Sequence, residues 1–443
     1  MLRLPYLLPL CWFLALPLTQ AQYWRVIEQS PMPEAVANNA VVAAEHDGVS
    51  YVYSFAGIDT SKAEAGIHLR SYRYNTQTDT WESLPPLPDT LGKIAAAASV
   101  VGDVIYIMGG YHVLPDGEIS SDKVHRFSIS ANDYLSDGAP IPVPIDDQVQ
   151  AVWRDSLIYL VTGWNGDIGR GANVSSVQVY NPTEDSWASG TSVPENDLYK
   201  AFGASGVIIG DTIFYYGGAS NSGFRITGLL RKGLINPNNP EQIGWLAING
   251  DPVHMGYRMG ATVVEGKPYW LGGSGNTYNF DGIAYDGSGG VSPANRSIFF
   301  DLDDQSWNVD LNNELPMDLR GVGEISDTVK YLVGGMEADQ RVTGRTLRLE
   351  RSRQPVVSSL HEPSAVAQPF QLQPNPSRDW VNLRGMAIEQ NGRLRVWNAV
   401  GELVLERGGR SDRAPGFSVA EWPAGTYWVQ WADSVQPLVV LPH

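Results

Sequence analysis

The chain has 443 residues, 43% hydrophobic and 18% charged, a balance that excludes a disordered polymer. A formal net charge of -17 excludes an electrostatic grip on nucleic acid or on anionic lipid. With 46 glycines, 14 tryptophans and 20 tyrosines, the composition favours an all-β chain with many tight turns.

Residues 1–21, MLRLPYLLPLCWFLALPLTQA, carry one basic residue (Arg3), a short apolar stretch and a small residue, Ala21. They read as a secretory signal peptide cleaved before Gln22. Cys11 lies inside it and is the only cysteine, so the mature chain is expected to have no disulfide and no thiolate metal ligand. No later segment has the length and apolarity of a membrane-spanning helix.

From residue 22 to 352 one phrase recurs: YVYSFAG (51–57), IYIMGGY (105–111), IYLVTGW (158–164), IFYYGGA (213–219), PYWLGGS (268–274) and KYLVGGM (330–336). Its final glycines, Gly57, Gly110, Gly163, Gly218, Gly273 and Gly335, are 53, 53, 55, 55 and 62 residues apart. A period this regular is a repeat architecture. Residues 93–134 show the unit. KIAAAASVV is a small-residue strand, VIYIMGG a strand buried on both faces, KVHRFSIS an alternating strand, and a fourth strand starts at Tyr134. The turn into the fourth strand is acidic or amidic and ends on an aromatic: Trp81, Tyr134, Trp187, Trp245 and Trp307. Trp24 has the same register ahead of the first repeat, so its segment is expected to complete the last one. The glycines are expected to let a large ring on a neighbouring strand approach closely.

Six glycine-ended phrases, four of them Gly-Gly, in register with an acidic turn and an aromatic resemble kelch repeats. The resemblance implies a six-bladed kelch β-propeller over 22–352, closed non-covalently by the strand at Trp24. Residues 353–369, rich in Pro, Ser and Ala, read as a linker. After it, short alternating strands separated by glycine turns signal a small β-sandwich over 370–443. Pro374-Asn375-Pro376 with Asp379, the strand LRVWNAVGELV, and Pro423-Ala424-Gly425-Thr426-Tyr427 resemble the C-terminal sorting domain of the type IX secretion system. That resemblance implies export across the outer membrane, to the cell surface or the medium, with the secretion machinery as partner of 370–443.

In a four-stranded meander, residues before the first strand share a rim with residues after the second. The first set is Asn39, Lys93, Gln148, Lys200, Arg258 and Arg320; the second includes Tyr111, His112, Trp164, Asn165, Asn221 and Asn276. Four cations of six, with amides and aromatics beside them, suit an acidic or stacking ligand. The same loops hold Asp89, Asp146, Asp147, Asp197 and Asp318, and pairing with these is the competing reading. The 22 residues from Ser274 to Asn295 read either as a cover for this rim or as a surface insertion. The seven histidines show no spacing suited to a metal, no cofactor motif stands out, and copper chemistry of the galactose oxidase type lacks its cysteine. The expected function is therefore a secreted ligand-binding module for carbohydrate or protein. A sugar-active enzyme resembling the kelch-type sialic acid mutarotases and a non-catalytic surface scaffold are the alternatives. No catalytic constellation is legible, and fold alone does not choose among them.

Overall fold

Val104–Leu114 shows how a blade is built. Its apolar run packs on both faces, pairing with Ile94–Val101 on one side and Val124–Ser128 on the other. Asp133–Tyr134 adds the short outer strand. The computed structural model describes residues 24–351 apart from 116, 168–170, 251–253 and 311–313, and in the C-terminal part 371–384, 393–398, 403–408, 416–431 and 434–442. The segments expected as signal peptide (1–21) and linker (353–369) lie outside the described residues. The chain divides into two compact units, one ending at Ser352 and the other beginning at Arg353.

The first unit is a propeller of six antiparallel blades. Blade 1 starts with Ala40–His46, blade 2 with Ile94–Val101, blade 3 with Val149–Trp153, blade 4 with Ser205–Ile209, blade 5 with Gly260–Val264 and blade 6 with Gly323–Ser326. In blade 6 the outer strand is Trp24–Gln29, which pairs with Thr346–Arg351 from the far end of the unit. Trp24 is fully buried and meets the Tyr269 ring of blade 5 edge-on at 6.0 Å. Three blades dock on the preceding blade by one repeated contact. Trp81, Trp187 and Trp245 donate their indole N–H to the carbonyls of Ser30, Ala139 and Thr191. The contact from Trp81 to Ser30 crosses from blade 1 to blade 6, so the two chain ends meet as any other pair of blades does.

The Gly-Gly phrases have a different reason from the one expected of them. A Cβ on Gly217 would lie 2.0 Å from the Gly256 carbonyl oxygen, and one on Gly334 would lie 2.3 Å from that of Val36. Both oxygens belong to the next blade, and both glycines have positive φ, 70° and 72°. The adjacent N–H uses the close approach. Gly110 donates to Ile145, Gly218 to Gly256, Gly273 to Pro316 and Gly335 to Val36 at 2.8–3.0 Å. The glycines thus stitch blade to blade through the backbone, while the tryptophans pack at the periphery.

The second unit pairs Gln371–Gln373, Trp380–Arg384 and Gly416–Ser418 in one sheet. Leu403–Gly408, Arg393–Trp397, Gly425–Trp431 and Ser434–Val440 form the other. Leu372, Val381 and Phe417 of the first share a core with Val396, Val429 and Leu438 of the second, which makes a β-sandwich. The Asn375 side chain accepts from the Val439 N–H at 2.9 Å, and the Tyr427 hydroxyl donates to the Pro423 carbonyl at 2.8 Å.

Candidate functional site

Six residues, one per blade, precede the inner strands with left-handed backbones: Asn38, Ala95, Asp147, Gly203, Arg258 and Asp318, with φ between 48° and 64°. L-residues avoid this region at a cost of about 1–2 kcal/mol each, so something must hold five non-glycines there. A closed ring of hydrogen bonds does. Asp147 N–H donates to Ala95, Gly203 to Asp147, Arg258 to Gly203, Leu319 to Arg258 and Asn38 to Asp318, all on carbonyls. The Ala95 N–H completes the circuit on the Asn38 side-chain oxygen at 3.0 Å. This ring marks one end of the propeller axis, called the upper end below.

Arg258 closes that end from within. Its guanidinium grips Asp147 with two bonds, 3.2 and 2.7 Å, and reaches Asp318 at 3.0 Å. The Tyr257 and Tyr278 rings lie 5.1 and 5.5 Å from it. Arg320 adds a contact of 3.2 Å to Asp147 and donates to the Gln148 carbonyl. All four charged groups are buried, and two arginines against two aspartates leave no net charge. Burial opposes the charged form of Arg258, but Asp147 leads the groups that outweigh it and raise its pKa. Asp318 is pushed up by burial, with Arg258 opposing.

The expected cationic rim therefore does not assemble. Arg258 and Arg320 are on the axis, committed to aspartates. Lys93 is fully buried away from it, with its ammonium 2.6 Å from Asp89 and 3.0 Å from His125 Nε2. Burial lowers the Lys93 pKa, with Asp89 opposing. Burial alone would raise Asp89, but hydrogen bonds from His125 and Lys93 and the lysine charge hold it far below the usual carboxylate range. Lys200 pairs with Glu195 in its own loop. Asn39 donates to Ser54 Oγ and the Val333 carbonyl, and Gln148 to the Met108 carbonyl, so both amides brace neighbouring strands. Tyr111 is buried opposite Ile94. Acids in the same loops satisfy the cations because a buried ammonium or guanidinium is tolerable only when paired.

Of the expected site residues, Trp164 reaches the mouth. It is half-buried, 5.4 Å from both Phe202 and Phe224, and Phe224 meets Tyr285 at 4.8 Å. Trp164, Phe224 and Tyr285 thus form a partly exposed aromatic wall. Tyr285 comes from the 274–295 loop, which is a packed cover: Tyr278, Ala284 and Val291 are buried in one cluster with Tyr257, Met317 and Met336. Gln340 of blade 6 braces it, donating to the Val291 carbonyl at 2.8 Å.

Two carboxyls accompany this wall. Asp146 is buried, and its partner is the Ser120 hydroxyl, which also accepts from the Gly166 N–H at 2.8 Å. Its pKa is raised well above the ordinary value, first by burial and then by the neighbouring Asp147 charge. Glu118 is exposed, yet its carboxyl is raised too, by desolvation among the surrounding loops with Arg258 opposing. Glu118 precedes Ser120 on one short strand, and a Cβ on Gly166, two residues after Trp164, would lie 3.1 Å from its main-chain oxygen. Glu118, Phe224 and Tyr285 were not legible as site residues. Their one signal was that each sits in a long loop after a Gly-Gly strand.

His112 and His125 do converge, against the expectation from their spacing. Their Nε2 atoms lie 3.8 and 3.2 Å from Asp89, but the Lys93 ammonium stands at the same carboxylate. Among the described residues no group of carboxylates and imidazoles is arranged to hold a metal. No helix among them is long and apolar enough to cross a membrane.

No protein-family model matches the chain. It is similar to Kelch-like protein terF of Aspergillus terreus, 29% identical over 194 residues, which is 43% of this chain and 40% of that protein. It is also similar to Kelch-like protein 25 of Xenopus tropicalis, 27% identical over 39% of this chain and 26% of that one. Kelch repeat and BTB domain-containing protein 1 of cowpox virus is 22% identical over 63% of this chain and 44% of its own length. The chain spans less than half the length of each of these curated relatives. Among solved structures, that of YjhT has a TM-score of 0.57 at 13% identity and covers 74% of this chain and 98% of its own. With six blades of four or five strands, Gly-Gly stitching between them and kelch-repeat proteins as relatives, the first unit of this chain is a six-bladed kelch β-propeller.

Proposed function

We propose that the propeller is a ligand-binding module and that its ligand, a carbohydrate, docks on the upper mouth. The observation that carries this reading is the partly exposed wall of Trp164, Phe224 and Tyr285, with exposed Glu118 on the neighbouring strand that packs on Gly166. Aromatic faces stack on the C–H face of a sugar, and a carboxyl takes its hydroxyls. Because the cations below are consumed by aspartates, a neutral saccharide fits this mouth better than an acidic one. The kelch relatives support a binding or scaffold role in general, and a protein ligand is the other occupant of the same face. The test is a glycan array followed by titration calorimetry on the mature chain. Trp164→Ala is expected to weaken a sugar hit by about tenfold or more through lost stacking. A hit that survives both Trp164→Ala and Phe224→Ala would reject this mouth as the site.

A sugar-active enzyme is the second reading, since burial pushes the Asp146 carboxyl up and desolvation raises Glu118, the direction a general acid needs. Turnover of an array hit that is lost in Glu118→Gln would support it. For the second unit we propose the sorting role that its Pro374-Asn375-Pro376 and Pro423–Tyr427 motifs suggest, with residues 1–21 as the signal peptide and the mature chain outside the cell. Deleting 370–443 is then expected to leave folded propeller in the periplasm. Normal release of the deleted chain would reject the sorting role.

A further inference from the structure

The propeller axis below the ring is a channel of 320 Å³ lined by the six inner strands, at the lower end of the range of small-ligand pockets. It is blind. At its upper end Gln148, Ala204, Met259 and Arg320 are 1–6% exposed, and the Arg258 network lies above them. At its lower end Val152 and Ile208 are half-exposed and Glu324 is open to solvent.

Two buried polar atoms at the closed end have no hydrogen-bond partner: Gln148 Oε1 and Arg320 Nε. One needs a donor and the other an acceptor. A buried polar atom left unsatisfied costs about 1–3 kcal/mol, so a group that serves both is favoured there. A hydroxyl is such a group, since it donates one bond and accepts others. Below it the wall is two-sided. Gln150 and Ser99, bonded at 3.0 Å, add polar groups on blades 3 and 2, where Ala97 also lines the wall, while Ala261 and Val263 of blade 5 across the channel are apolar.

Charge narrows the class. The two arginines and two aspartates at the closed end cancel, so an ion gains no net Coulombic attraction there. At the open end Glu324 pairs with Lys330 at 3.6 Å and accepts from Thr262 at 2.6 Å, so that end adds no net charge either. We infer that the channel is a second binding site, distinct from the upper mouth, for a small neutral polyhydroxylated solute such as a linear polyol or a monosaccharide, entering from the lower end and placing a hydroxyl between Gln148 and Arg320.

Saturation-transfer NMR and calorimetry with xylitol, sorbitol and glucose on the full mature chain test this. Saturable binding is expected. Gln148→Leu, which removes the acceptor, and Ala97→Val, which narrows the channel, are each expected to weaken it by about tenfold. For xylitol and sorbitol, which have no ring face to stack on an aromatic, Trp164→Ala at the upper mouth is expected to leave it unchanged. Should Gln148→Leu fail to fold, Ala97→Val still decides. Absence of saturable binding, polyol binding indifferent to Ala97→Val, or polyol binding lost in Trp164→Ala would each overturn the proposal; in the first case the channel holds water alone.

Discussion

Arg258 and Lys93 are both buried cations in loops that lead into inner strands, and they do different work. Lys93 finds its acid four residues away, Asp89, so its pair belongs to one loop. Arg258 finds its acids in blades 3 and 6, at sequence separations of 111 and 60. One pair ties down a loop; the other ties the ring across its axis. A local ion pair stabilises what is already adjacent. A pair across the axis adds a constraint on the positions of whole blades, whose backbone ring already carries left-handed residues.

Removing each cation separates the two cases. Arg258→Ala leaves Asp147 and Asp318 buried, with Arg320 as the remaining cation on Asp147. Breaking a buried pair in this way costs about 3–5 kcal/mol. The expected result is a large fall in the urea midpoint, with faster hydrogen exchange of the Asn38, Leu319 and Asp147 amides that form the ring. If Arg258→Ala melts no lower than Lys93→Ala, the axis network does not couple the blades. Lys93→Ala is expected to cost less, about 2 kcal/mol, because His125 still reaches the Asp89 carboxylate at 3.2 Å. Its faster exchange should be confined to the loop before Ile94. Lys200→Ala, whose partner Glu195 is 69% exposed, is expected to cost less than about 1 kcal/mol. A Lys200 variant as damaging as the Lys93 one would break the distinction between local and buried pairing.

The difference between these cations also marks what the sequence could say. The Gly-Gly phrase and the aromatic register of Trp24, Trp81 and Trp187 revealed blade number, strand order and non-covalent closure, because each is a periodic feature of local chain. The reason for the glycines was not readable. The atom that a Cβ on Gly217 would strike, the Gly256 oxygen, lies 39 residues on, in the next blade. The rim set failed in the same way. Asn39, Lys93, Gln148, Lys200, Arg258 and Arg320 are similar in topological position, but all except Arg258 differ by one to three residues in register against the ring at Asn38, Ala95, Asp147, Gly203, Arg258 and Asp318. A shift that small decides whether a side chain reaches the axis, a neighbouring strand or a loop acid. The aromatic wall needed contacts among three blades and a 22-residue loop, of which the sequence showed one member, Trp164.

Asp146 and Asp147 draw the comparison most finely, and here the expected effect is smallest. The two acids are adjacent, yet Asp147 holds both arginines while Asp146 has the Ser120 hydroxyl. Burial first, and the Asp147 charge second, keep Asp146 protonated well above the ordinary carboxylate range. An acid whose folded pKa lies above its unfolded value, about 3.9, contributes stability that is complete below that value and is lost as pH rises through the folded one. Asn is neutral at every pH and has nearly the same shape. Asp146→Asn should therefore match the wild-type melting temperature only near and below about pH 3.9, where the folded and unfolded chains both keep the proton. It should melt progressively higher than wild type as pH rises above that value, and the gap should level off once pH passes the elevated folded pKa. Thermal melts of both proteins from about pH 4 to about pH 10 read the difference directly. A difference that stays constant across that range would mean that Asp146 titrates alike in the folded and unfolded chain. The contrast between the paired and the unpaired aspartate would then be one of geometry without electrostatic consequence.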